Sequence, residues 1–180
     1  MKMNKALFLD RDGIINIDHG YVYRQEDFEF VEGIFELCKA AQRLGYIIIV
    51  ITNQSGIGRG RYTEEDFHQL THWMKQQFTH QGVHITDVYF CPHHPTKAKG
   101  NYLTSCECRK PNPGMVLSAA KEHKIDVKQS IFVGDKISDM QAAEAAGIHN
   151  RVLVASHYDD HKQVEAQRIA KLSDAIAFVD

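Results

Sequence analysis

Short apolar, β-branched runs recur along the chain, each followed by a stretch with helical spacing. "ALFL" at 6–9, "YIIIVI" at 46–51, "DVYF" at 87–90, "SIFV" at 130–133 and "RVLV" at 151–154 read as strands. The unbroken run at 46–51 lacks the in-out alternation of a half-exposed strand and suits one buried on both faces. "AIAFV" at 175–179 reads as a sixth strand. Between the runs, residues 31–44 predict a helix with Ile34, Cys38 and Ala41 on one face and Gly45 as its stop. Thr63 suits an N-cap, with Asp66 in the first turn and Phe67, Leu70, Met74 and Phe78 at helical spacing behind it. Pro113 opens a further helix reaching about His123, and 138–146 forms a short one closed by Gly147. Strands alternating with helices predict βαβ units: an α/β, three-layer, Rossmann-like parallel sheet with helices on both faces.

The 180 residues fit one domain, 1–180, large enough to bury a core without staples. In such sheets ligands bind beyond the carboxyl ends of the strands. "DRDG", "TNQSGIGRG", the cysteine-rich stretch ending in "RKP", and "GDKISD" follow four successive strands. Acids, hydroxyls and cations therefore converge on one edge. Asp10 and Asp12, two apart in an extended segment, face the same side and repel unless a cation lies between them. A hard divalent ion such as Mg2+ suits carboxylate oxygens and leaves room for a phosphate. Asp135 and Asp139 bring further carboxylates to another strand end.

Three of the four cysteines fall in "CPHHPTKAKGNYLTSCECRKP", residues 91–111. Cys91, His93, Cys106 and Cys108 make a complete tetrahedral Zn2+ set with no open position, the signature of a structural ion. Spacing does not separate His93 from His94 as the fourth ligand, and the alternative is three reduced thiols clustered by chance. Neither Cys-x-His nor Cys-x-Cys is the spacing of a nucleic-acid finger. A clamp on this long loop would aim Arg109 and Lys110 at its exit, and Arg109 suits a second anionic group or, otherwise, a solvated rim. Cys38 reads as a plain core thiol.

"FLDRDG", "VITNQSG", the lysine of "CRKP" and "FVGDKISD" resemble, in order, the four motifs of the haloacid dehalogenase superfamily of phosphatases. The resemblance covers about residues 5–155, and its ordered motifs are far more specific than a lone D-x-D. It implies a HAD-like fold and phosphoryl transfer through an aspartyl-phosphate on Asp10. Asp12 is the implied acid and base, and Thr52 and Lys110 the groups on the transferring phosphoryl. Mg2+ would be held by Asp10, the main-chain carbonyl of Asp12, and Asp135, with Asp139 buttressing the turn behind them. Two branches of the superfamily carry such a zinc loop, one acting on a bisphosphorylated heptose in lipopolysaccharide-core synthesis, the other on histidinol phosphate. "DHGY" and the loops already quoted resemble the first more closely. That resemblance puts Asp18, His19, Gly20 and Tyr21, with Thr52, Asn53, Gln54 and Ser55, around a sugar. The alternative for 18–21 is a polar turn. The short inserts imply a minimal cap, with the zinc-stabilised loop as pocket wall. A binding module that has lost catalysis is the third reading, against which the intact acid and lysine positions stand.

The resemblance implies a small phosphorylated sugar as the partner, and composition argues against others. A net charge of −2 gives no basic footprint for nucleic acid. "ALFL" is too short for the core of a signal peptide, and no run approaches the ~18 apolar residues of a membrane span. The expectation is a cytoplasmic monomer with reduced thiols. "GIGRG" at 56–60 is not a dinucleotide loop and reads as a flexible turn, and His68, His72, His80 and His84 read as a solvated face.

Overall fold

A computed structural model describes residues 2–158 and 164–180. Six parallel strands form a sheet in the order β3-β2-β1-β4-β5-β6. They are β1 (Lys5–Leu9), β2 (Tyr46–Asn53), β3 (Asp87–Cys91), β4 (Ile131–Gly134), β5 (Asn150–Val154) and β6 (Gln167–Ile169). The order reverses between β1 and β4, which is where a doubly wound sheet opens a crevice.

The period of two along each strand sorts the core into two layers. Leu7 and Leu9 of β1, Ile48 and Val50 of β2, and Val133 of β4 point to one face. There they meet α1 (Ile34–Arg43) through Ile34, Leu37, Cys38 and Ala41, and α3 (Glu64–His80) through Leu70, Met74 and Phe78. Ala6, Phe8, Ile49, Ile51 and Phe132 point to the other face. There α4 (Gly114–Glu122) brings Met115, Val116 and Ala119, and α5 (Ile137–Ala145) brings Met140 and Ala143. Each fully buried aliphatic side chain contributes about 1.5–3 kcal/mol, so both faces must be covered for the sheet to persist. Local signals agree with this packing. Thr63 Oγ1 accepts from Asp66 N at 3.0 Å while Asp66 Oδ2 accepts from Thr63 N at 2.9 Å, a reciprocal cap on α3.

Two expectations fail. "AIAFV" is not the sixth strand: Leu172–Phe178 is a 3-10 turn, and the edge strand is Gln167–Ile169. Leu172, Ala175 and Phe178 recur every third residue, the eclipsed period of a 3-10 helix, and set their side chains on the core under α1. The "GIGRG" stretch is not a flexible turn either. Ser55–Gly58 forms a helical turn, α2, whose Gly56, Ile57 and Gly58 are buried. A Cβ on Gly58 would lie 2.5 Å from Pro92 O, and one on Gly56 2.3 Å from the Tyr62 ring, so these glycines serve close packing. His68, His72, His80 and His84 are exposed, as expected.

The inserts are small. Between β1 and α1, residues 10–33 make isolated bridges (Asp12 with Asn16, Asn16 with Phe30) and one 3-10 turn, Gln25–Asp27. Between β3 and α4 lies the cysteine-rich loop, with one 3-10 turn at Gly100–Tyr102.

Candidate active site

β1 ends at the crevice, so Asp10 leaves the sheet between its neighbours β2 and β4. Arg11 N donates to Asp10 Oδ1 at 2.9 Å and fixes that carboxylate. β4 delivers Asp135 alongside, and one turn into α5 comes Asp139, whose Oδ2 accepts from Asp135 N and Lys136 N, both at 3.1 Å. Asp139 thus buttresses the turn as expected. Asp10, Asp135 and Asp139 each bring a carboxylate oxygen to within 4.8 Å of the others. Gly13 passes directly over them at φ 97°, and a Cβ there would lie 2.1 Å from Asp135 Oδ2.

Lys110 enters from the opposite side, at the exit of the cysteine-rich loop. Its Nζ lies 3.0 Å from Asp10 Oδ1 and 2.6 Å from Asp139 Oδ1, and donates to Ile51 O at 2.8 Å. Burial opposes its charge, but the two carboxylates outweigh burial and raise its pKa above the ordinary lysine value. The Asn53 amide brackets its backbone, accepting from Lys110 N at 3.0 Å and donating to Lys110 O at 3.2 Å.

One lysine does not neutralise three carboxylates. Burial, then the charge of Asp139, push Asp10 up to about 6 against the pull of Lys110. Burial, then Asp10 and Asp139, push Asp135 up to about 9. Asp135 Oδ1 is buried without a hydrogen-bond partner. Crowding raises the proton affinity of the cluster, a divalent cation would relieve the same repulsion, and the donor set fits a hard ion.

Asp12 is set differently. Its Oδ1 accepts from the buried Arg11 Nη2 at 2.8 Å and from Asn16 Nδ2 at 3.1 Å, and its Oδ2 accepts from Gln54 Nε2 at 3.0 Å. Burial works against ionisation, yet the Arg11 guanidinium and these hydrogen bonds hold its pKa below the usual carboxylate value. Gln54 Nε2 also donates to Thr52 Oγ1 at 2.8 Å, and Tyr62 OH donates to Gln54 Oε1.

A cleft of about 600 Å³ opens above this floor. Asp12, Asp18, Gly20, Tyr21, Asn53, Gln54, Ser55, Arg109 and Lys110 line it, as the sequence suggested. Thr52 does not reach its surface and is 1% exposed behind Gln54. His19 turns away to pair with Glu29 Oε2 at 3.1 Å, in a neighbouring depression with Glu26 and Asp27. Arg59, Tyr62, Lys136, Ser138 and Tyr158 also line the cleft and were not anticipated. Lys136 was visible inside "GDKISD". Tyr158, whose hydroxyl donates to Asp18 Oδ2 at 2.7 Å, lies in a stretch without a motif.

The thiols and imidazole converge beside the cleft. Cys91 Sγ lies 3.5 Å from His93 Nδ1, 3.5 Å from Cys106 Sγ and 2.7 Å from Cys108 Sγ. Cys108 Sγ lies 3.4 Å from His93 Nδ1 and 3.3 Å from Cys106 Sγ. A tetrahedron with Zn–S bonds of ~2.3 Å has edges of about 3.8 Å; these edges of 2.7–3.5 Å are shorter, and the four donors converge closely enough to surround one ion after a modest outward shift. The cysteines are free rather than disulfide-bonded. His94 faces elsewhere, its Nδ1 accepting from Thr96 N at 3.1 Å and Lys97 N at 2.9 Å. Arg109 N donates to Cys106 Sγ at 3.3 Å, which ties the cluster to the cations at the loop exit.

Sheet order, clustered carboxylates and a buried lysine define a phosphohydrolase of the HAD type. A family described as HAD-hydrolase-like matches residues 107–177. The chain is 51% identical over 161 residues to the D-glycero-beta-D-manno-heptose-1,7-bisphosphate 7-phosphatase of Vibrio cholerae, covering 89% of this chain and 87% of that protein. It is 49% identical over 173 residues to the D-glycero-alpha-D-manno-heptose-1,7-bisphosphate 7-phosphatase of Burkholderia mallei, covering 96% and 88%. The crystal structure of a D,D-heptose 1,7-bisphosphate phosphatase from B. bronchiseptica, complexed with magnesium and phosphate, superposes with a TM-score of 0.85 at 25% identity, covering 97% of each chain. The chain therefore belongs to the HAD-like hydrolases, in the heptose-1,7-bisphosphate 7-phosphatase family.

Replacing Gly13 by Ala should force Asp135 aside. A left-handed non-glycine residue alone costs about 1–2 kcal/mol. Urea denaturation should register at least that loss, and phosphatase activity should fall more than tenfold. Wild-type stability and activity together would contradict the close approach of Gly13 to Asp135.

Proposed function

We propose that this chain removes the 7-phosphate of a D-glycero-D-manno-heptose 1,7-bisphosphate, on the route to the heptose of lipopolysaccharide core. The reading rests above all on one arrangement: Asp10, Asp135 and Lys110 at the floor of a cleft whose rim carries the guanidinium groups of Arg59 and Arg109. A monophosphate carrying a cationic amine, such as histidinol phosphate, would meet those two cations unfavourably. The whole chain works as one domain, a monomer in the cytoplasm. Free thiols suit a reducing compartment, and no helix among the described residues is long and apolar enough to cross a membrane.

Asp10 is the nucleophile. Arg11 N and Lys110 hold its Oδ1, so the carboxylate is oriented before substrate arrives. One carboxylate oxygen forms a bond to phosphorus as the bond from phosphorus to the sugar O7 breaks. Asp12 gives that leaving oxygen a proton, which the approach of the phosphate dianion helps it to carry by raising its proton affinity. In the second half Asp12 is again ionised, the state its pairing with Arg11 favours. It takes a proton from water as the water oxygen attacks phosphorus, and the Asp10–phosphorus bond breaks to release inorganic phosphate. Lys110 and Lys136 neutralise the equatorial oxygens, and Thr52 serves that phosphoryl from behind Gln54. Asp10, Asp135 and the main-chain carbonyl of Asp12 would hold Mg2+, which supplies charge neutralisation at the carboxylate cluster and the phosphoryl oxygens.

Asp18, Gly20, Tyr21, Asn53, Gln54 and Ser55 face the sugar. His19 acts through its loop rather than by contact, since its ring is turned to Glu29. Arg109 takes the second phosphate. Cys91, His93, Cys106 and Cys108 hold a structural Zn2+ that orders the loop.

Asp10→Asn should reduce phosphate release to background, and Asp12→Asn should lower it by about 10²–10⁴-fold, the span of general acid–base catalysis. Retention of most activity by Asp10→Asn would overturn the nucleophile. Cys108→Ser should bring metal analysis well below one zinc per chain and lower the unfolding temperature. A stoichiometry staying near one would show the ligand set to be wrong.

A further inference from the structure

Three features outside the phosphoryl-transfer floor carry unexplained chemistry. Asp87, Glu122 and His123 could gather around an ion at the far edge of the sheet. There, however, His123 already pairs with Asp87 at 2.8 Å and Tyr89 with Glu122 at 2.8 Å, and no further group points to a ligand. The depression by His19, Glu26, Asp27 and Glu29 is an acidic surface with nothing aimed into it. The third feature is Arg59.

Arg59 follows α2 and lines the cleft together with Arg109. Neither guanidinium has a carboxylate within ion-pair distance among the described residues, although the chain holds 23 acidic residues. Their other contacts are long: Arg59 Nε donates to Ser55 Oγ at 3.3 Å and its guanidinium lies 5.9 Å from the centre of the Tyr21 ring, and Arg109 Nη1 donates to His93 O at 3.5 Å. Both cations line the same cleft. Two like charges kept together on a rim, without an internal counter-ion, oppose folding unless an external anion joins them.

The backbone that carries Arg59 is fixed to the cysteine-rich loop. Lys99 N donates to Gly58 O at 2.8 Å, and Gly58 itself packs against Pro92 O and Tyr102. Arg109 is fixed from the other end of the same loop through Cys106 Sγ. The backbones that carry the two arginines, one after α2 and one at the loop exit, are therefore both anchored to the cysteine-rich loop. Arg59 and Arg109 follow β2 and β3, on one side of β1 in the sheet order, whereas Asp135 follows β4 on the other.

We propose that Arg59 is a specificity-determining residue which, with Arg109, forms a two-armed site for the phosphate that is not transferred. The proposal rests on the bisphosphate reading above and deepens it. It assigns the second anion to a pair of guanidiniums built on two separate elements, so that a monophosphate engages the floor and leaves the pair unfilled. A charge-assisted hydrogen bond contributes about 1.5–3 kcal/mol, and 1.4 kcal/mol is a factor of ten. Removing the Arg59 arm should thus lower the preference for the bisphosphate by roughly ten- to a hundredfold.

The test compares kcat/KM for heptose 1,7-bisphosphate with that for heptose 7-phosphate, in the wild type, Arg59→Gln and Arg59→Lys, with thermal unfolding followed for each. The expected result is a wild-type preference for the bisphosphate that falls at least tenfold in Arg59→Gln, through KM rather than kcat. Arg59→Lys, which keeps the charge, should recover part of it. A preference unchanged in a folded Arg59→Gln overturns the role of Arg59 and leaves the bisphosphate reading intact. A wild type without any preference overturns the bisphosphate reading itself, and the Arg59 site with it.

Discussion

The site depends on keeping one ammonium buried among carboxylates. Lys110 is 4% exposed and lies between Asp10 and Asp139. Breaking such a pair by removing one partner costs about 3–5 kcal/mol, because the remaining charge stays buried. The lysine must therefore arrive in one position, yet it comes at the end of a long irregular loop. Ordering backbone costs about 1–2 kcal/mol per residue, and this loop has only a single 3-10 turn of its own. Its order comes from three anchors: the thiol and imidazole cluster, the amide of Asn53, and the seat of Gly58 against Pro92. The cysteines lie outside the floor of the site and still anchor the loop that delivers Lys110.

The same constraint explains why two carboxylates only two residues apart behave oppositely. Asp10 and Asp135 crowd together with Asp139, and their proton affinity rises. Asp12 points to Arg11, Asn16 and Gln54, and its proton affinity falls. The crowded pair suits a cation, and the isolated carboxylate suits proton transfer. Arg11 separates the two, since its backbone N–H holds Asp10 while its guanidinium holds Asp12 and Val22 O.

Much of this was legible in the sequence because it is local. Unbroken apolar runs gave five strands, and the Thr63 and Asp66 spacing gave a cap that forms as expected. The gathering of the carboxylates was legible because they lie at strand ends, where "DRDG" and "GDKISD" need no tertiary information to be placed. What escaped was set by packing. Whether "AIAFV" is extended or a 3-10 turn depends on the core beneath α1. The glycines of "GIGRG" look flexible until Pro92 and Tyr62 are seen against them. Tyr158 and Arg59 reach the cleft only through the fold, and His19 leaves it because Glu29 is near. Cys-x-His spacing could not choose between His93 and His94; the direction of the two rings does.

The most direct measurement follows phosphate leaving the two phosphorus positions of heptose 1,7-bisphosphate by phosphorus NMR in the presence of Mg2+, with histidinol phosphate turned over by the same preparation in parallel. The account predicts loss of the 7-phosphate signal, persistence of the 1-phosphate and slow turnover of histidinol phosphate. Loss of the 1-phosphate first, or faster release from histidinol phosphate, would contradict it.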